Sequence, residues 1–165
     1  MVFFQHSRFP KYGSFISAQM TRFEDDEPFI FKAYVTALQG DRDLARKTVK
    51  DGELPTVEVV EIHPELCNFN LNWRKMAPGS FCPASPSKIH ILESEAEGYE
   101  NGNIPDWKAA RLLLHELVHW ARYHKGLPSR ISGFEAGDMF EWFAQYPGEG
   151  RLPRNHDDGG PVETF

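Results

Sequence analysis

The stretch RLLLHELVHWARYHKG, Arg111 to Gly126, places His115 and His119 four residues apart with Glu116 between them. On a helix, positions i and i+4 share a face, about one turn apart. Two imidazoles at that spacing can grip one small cation. Glu116 falls about 100° around the helix from His115, within reach of a water on that cation but not placed as a ligand. Imidazole and carboxylate suit zinc, which lowers the pKa of its bound water toward about 7. Glu116 would take that water's proton as it attacks a carbonyl, then pass it to the leaving amine. This is the HExxH pattern of zinc metallopeptidases. Leu112, Leu113, Leu114, Leu117 and Val118 surround it. Three titratable groups in such a run are costly to bury without partners, which favours a bound metal over coincidence.

Two histidines are one ligand short of a catalytic zinc site. The continuation HExxHxxGxxH is absent, because Arg122 stands at its glycine position and Pro128 follows. His124 lies about 140° around the helix from His119 and reads as a surface residue. The third ligand should therefore come from the next helix, expected over about Phe134 to Tyr146, where Glu135, Asp138 and Glu141 are the acidic candidates. A close helix approach needs small neighbours. Glu141 has Gly137 at i−4 and Ala144 at i+3, whereas Glu135 has the larger Asp138 at i+3. Glu141 is favoured on that ground, with Glu135 the alternative. The carboxylate not used, or Asp138, could hold a histidine N–H from behind.

The elements that must position these groups read as follows. Asp25 or Asp26 with Pro28 starts a helix that ends at Gly40. Asp41 caps a second, stopped at Gly52. PTVEVVEI and SKIHILES read as strands. Residues 63–87 read mainly as loop, EGYENGNIP as a turn-rich connector, and residues 1–24 and 147–165 as irregular, the latter a mobile tail. Asp106 caps the HExxH helix, which runs to about Lys125. The whole, residues 1–165, is expected to be a single α+β domain with a minimal zincin-like fold, its small sheet packed against the HExxH helix. SKIHILES is the candidate edge strand for substrate addition. Trp73, Trp107, Trp120 and Trp142 read as core or cleft wall, Tyr123 as packing, and His63 and His156 as loop residues without a role.

The segments LLLHELVHWAR and FEAGDMFEWFA, with KIHILES before them, resemble the zincin-type metallopeptidase toxin domains of bacterial type VI secretion effectors. The likeness covers roughly residues 88–146. It implies His115 and His119 as zinc ligands, Glu116 as catalytic base and Glu141 as third ligand. A Tyr-Gly pair expected soon after Phe-Glu is replaced here by Gln145, Tyr146 and Pro147. The resemblance further implies an antibacterial effector acting on a protein or peptide substrate, with a secretion spike protein and a cognate immunity protein as partners.

Composition bounds these expectations. The chain carries a net charge of −6. That argues against a nucleic-acid partner, whose phosphates recruit clustered Lys and Arg. No apolar run approaches the roughly 20 residues of a membrane span. MVFFQHSRFPKYGSF has no signal-peptide pattern, so export by a signal-peptide-independent route from a cytoplasmic producer is expected, with action in a target cell, its periplasm being one candidate site. Cys67 and Cys82 are most simply two unpaired thiols; a single disulfide is the alternative, meaningful only in an oxidising compartment. The competing functions are a non-catalytic zinc-bound interaction or anti-restriction module and a cytoplasmic housekeeping peptidase. A protein ligand or an open site at the fourth coordination position separates the first of these from an enzyme.

Overall fold

A computed structural model describes residues 1–65 and 76–146. Trp73, Cys67, His156 and the expected tail lie outside the described residues. The fold is α+β. Strand β1 (Val2–Phe3) leads into α1 (Pro10–Ser14), a π-helical turn (Phe15–Gln19), a 3-10 turn (Met20–Arg22), α2 (Phe23–Asp26), α3 (Pro28–Ala37) and α4 (Arg42–Val49). Strands β2 (Thr56–Val60), β3 (Gly79–Phe81) and β4 (Lys88–Leu92) follow, then α5 (Glu93–Glu100) and α6 (Asp106–His124). A hairpin of β5 (Arg130–Ile131) and β6 (Phe134–Glu135) precedes α7 (Ala136–Gln145). No described helix is long and apolar enough to cross a membrane.

The main sheet has the order β1-β2-β4-β3, with β1, β2 and β4 parallel and β3 antiparallel to β4. Side chains alternate across it. Val57, Val59, Ile89 and Ile91 enter the core, and α6 packs on that side through Leu113, Leu114, Leu117 and Val118, all fully buried. Burying each such side chain stabilises by about 1.5–3 kcal/mol, against tenths of a kcal/mol for helix propensity. Packing therefore fixes which face of α6 turns inward. Pro105 occupies the N-cap, so Asp106 is an acid of the first turn and not the cap. Gly126 takes φ +69° where the helix ends.

Several expectations need correction. Residues 1–24 are not irregular: Phe3, Phe9, Tyr12, Phe15, Ile16 and Met20 are core residues on β1 and short helical turns. Their apolar spacing follows several short segments and so shows no single period. EGYENGNIP is only partly a connector, since α5 runs to Glu100 with Gly98 closed against Ile104. The edge strand beside β4 is β3, within the expected loop; β4 itself is interior. Cys82 is not an unpaired thiol but is disulfide-bonded.

Candidate metal centre

α6 carries His115 and His119 one turn apart, with ring centroids 5.2 Å from each other. The sequence places the third group by a device simpler than a helix face. Ile131-Ser132-Gly133-Phe134 makes a two-residue hairpin turn in which Ser132 and Gly133 have φ of 53° and 91°. Two successive positive φ values give the turn that matches strand twist. The hairpin returns the chain so that Glu135 lies over the histidines, 2.6 Å from His119 Nε2 and 3.5 Å from His115 Nε2. Donor atoms of His115, His119 and Glu135 all lie within 4.8 Å of one another.

Glu135 is not inside the following helix but caps it. Its carboxylate accepts the backbone N–H of Gly137 (2.9 Å) and Asp138 (2.8 Å). Burial alone would raise its pKa. The hydrogen bond to His119, the charges of both histidines and the Gly137 amide overcome this and hold it at about 2. It is thus an anion fixed at a helix N-terminus, where the helix field also favours it.

Glu141, favoured from the sequence as third ligand, sits on the other side of His115. Its Oε1 lies 2.8 Å from His115 Nδ1, and its Oε2 accepts from Arg111 Nε (2.9 Å) and Nη2. A carboxylate only accepts, so Nδ1 carries the proton and Nε2 of His115 is left facing His119 and Glu135. In the structure Glu135 is the carboxylate that faces Nε2 of both histidines, while Glu141 meets His115 at Nδ1. A Cβ on Gly137 would stand 2.4 Å from His115 Nε2, so the missing side chain makes room for the ring that Glu135, not Glu141, approaches at Nε2. Asp138 keeps much of its surface in solvent, and partial desolvation of its carboxyl together with the Glu135 charge raises its pKa.

Glu116 is 6% exposed. Burial raises its pKa, while the charges of His115 and His119 and the Phe81 backbone N–H oppose the rise. Strand β3 closes over it: a Cβ on Gly79 would lie 2.9 Å from Glu116 Cγ. His115 is likewise pulled two ways. Burial lowers its pKa, but the Glu141 hydrogen bond and the charges of Glu116, Glu135 and Glu141 prevail and raise it to about 9. Such carboxylate density around two imidazoles is the environment a divalent cation neutralises, and the two imidazole nitrogens with one carboxylate suit zinc.

The other conspicuous residues fall elsewhere. Trp120 is buried and donates to the Pro86 carbonyl, and His124 stacks beside it at the surface. Tyr123 lies half exposed against Phe81. Trp107 is exposed, not core. His63 is buried, within 2.7 Å of the Ala77 carbonyl and 3.0 Å of Ser80 Oγ. Arg122 was passed over in the sequence except as a departure from a motif. It is fully buried and donates to the carbonyls of Ala37 (2.6 Å), Pro128 (2.8 Å) and Arg130 (3.4 Å), tying the hairpin to α6 and α3.

The metallopeptidase toxin 3 family model matches residues 5–146. The chain belongs to that family. Membership of a metallopeptidase family implies a bound metal ion and a protein substrate. No curated protein and no solved structure shows a significant match to this chain.

Proposed function

We propose that the protein is a zinc-dependent endopeptidase of the HExxH type. His115 and His119 bind the metal through Nε2, Glu135 is the third ligand and Glu116 is the general base. The observation that carries this reading is the convergence of two Nε2 atoms and the Glu135 carboxylate beside a buried glutamate. Two imidazoles and one carboxylate are the protein ligand set of catalytic zinc sites such as that of thermolysin.

When bound, zinc supplies a water of lowered pKa and polarises the substrate carbonyl. The protein's own groups do the rest. Glu116, held by the Phe81 amide and desolvated, accepts the water's proton and returns it to the departing amine. Glu141 fixes the ring and tautomer of His115, and Arg111 fixes Glu141. Glu135 is pre-ordered by two backbone amides.

The biological setting is an antibacterial effector exported by a type VI or related route, with a spike protein and an immunity protein as partners. The toxin family supports the toxin role, and the disulfide at Cys82 fits an oxidising compartment such as a target cell's periplasm; the export route and the partners rest on the resemblance of the HExxH and FEAGDMFEWFA segments. The test compares wild type with Glu116→Gln. Both should hold about one zinc per chain, while the variant loses about 10²–10⁴-fold in hydrolysis. A metal-free wild type, or a fully active variant, sinks the reading.

A further inference from the structure

The Arg111–Glu141 pair that backs His115 also faces a cavity formed by α6, α7 and the N-terminal helices. Trp107 and Arg111 precede His115 and His119 at four-residue intervals along α6, so all belong to one row of that helix. The cavity, of about 530 Å³, lies at the Trp107 end. Its floor is apolar, built by Phe15, Ile30, Phe140 and Ala144. Arg111 and Glu141, which back His115, also line it, so cavity and candidate metal centre share a wall. Trp107 lines it too and is 57% exposed. Asp26, Glu27, Asp106 and Glu141 line it with carboxylates; Glu141 pairs with Arg111 and Asp26 with Arg22, and among the described residues no ion pair neutralises Glu27 or Asp106.

We propose that this cavity is a substrate-recognition site taking a large apolar side chain next to basic residues of the polypeptide being cleaved. The inference rests on the peptidase reading above and adds a sequence preference to it. The volume suits a bulky side chain and its neighbours. The indole offers apolar area and a π face to a cation. The unbalanced carboxylates favour positive charge and disfavour acidic segments. From His115 to Trp107 the helix rises about 12 Å, so an extended substrate would place the recognised residue about three or four positions from the scissile bond.

The experiment uses the full chain with Glu116→Gln, loaded with zinc, so that binding is read without hydrolysis. Titration calorimetry compares Gly/Ser peptides carrying a central Leu-Arg-Arg, Leu-Glu-Glu or Ser-Arg-Arg block. The Leu-Arg-Arg peptide should bind at least about tenfold tighter than either control, and Trp107→Ala should erase that margin. Trp107 is exposed, which spares the fold; Ala144→Leu, filling the cavity from the other helix, should give the same loss. Equal binding of the peptides, or an undiminished margin in both variants, overturns the proposal. A wild-type chain that shows the margin but hydrolyses no protein refutes the peptidase and keeps the binding site. One that hydrolyses protein with no preference about three or four residues from the cut refutes the site and keeps the peptidase.

Discussion

Two pairs of imidazoles lie on opposite sides of the sheet, and the protein treats them in opposite ways. His115 and His119 sit on α6 among Glu116, Glu135 and Glu141, and His115 is raised to about 9. His63 and His90 sit on the other side, ring centroids 6.5 Å apart, with His90 paired across the strands to Glu58 and Ser80. His90 is 2% exposed, its Nδ1 has no hydrogen-bond partner among the described residues, and its Nε2 is 3.6 Å from Glu58. Burial lowers its pKa, and the opposing charge of Glu58 does not restore it. Proximity of two histidines is therefore not what marks a metal centre. What differs is the supply of carboxylates, and their fixing by backbone amides and a guanidinium.

The comparison breaks most sharply at Glu135. Glu135→Ala should remove most of the zinc, measured by metal analysis after gel filtration, because two imidazoles alone hold it poorly. Glu141→Ala should cost about 10–100-fold in zinc affinity and leave the metal detectable at saturation. If the two variants exchange places, Glu141 is the ligand and Glu135 only a helix cap. Gly137→Ala comes next. Its Cβ must displace the His115 ring or the start of α7, so zinc affinity should fall and stability drop by about 1–3 kcal/mol in denaturant titrations. Unchanged affinity there would mean that the ring has more freedom than its packing implies.

The smallest effect is expected at the other pair. His90→Leu should leave zinc content unchanged and sharpen the contrast through pH. A buried base with a lowered folded pKa binds fewer protons folded than unfolded, so its neutral form contributes stability that is present above the unfolded value of about 6.5. That stability is lost as pH falls below 6.5 through the folded pKa. Glu58, Lys88 and His63 are the charged or titratable groups acting on it. The drop in Tm between pH 7 and pH 5, followed by circular dichroism, should be smaller in His90→Leu than in wild type. An equal drop would mean that His90 takes up its proton in place.

The sequence carried the HExxH helix plainly, because its apolar face and the Gly126 and Pro128 stop agree on one element, although Asp106, read as its cap, lies in the first turn. It carried β2 and β4 as β-branched runs. The position of Glu135 over the two histidines was not legible, because a single helix from Phe134 onward turns the choice of carboxylate into a question of helix faces, whereas Phe134–Glu135 is a strand. Ser132-Gly133 between Ile131 and Phe134 is a hairpin signal that places Glu135 before the helix, where capping decides its direction. Strand β3 is too short for alternation to register, although Gly79 is the position a glutamate at the site requires to be small. The buried role of Arg122 left no trace in spacing, since its partners are backbone carbonyls distributed over three segments.

That guanidinium has a consequence for how the centre is assembled. Residues 127–135 would otherwise form a loop whose closure accompanied every capture of a metal ion. A planar fork of donors, charged at any physiological pH and clamped on three carbonyls, settles the path of that loop while the chain folds. The entropy of ordering Glu135 is then charged to folding and not to coordination. On the proposed reading, a cation arriving at α6 would meet a chelate already in shape, and its grip would depend on the integrity of α3, whose last carbonyl the same guanidinium holds.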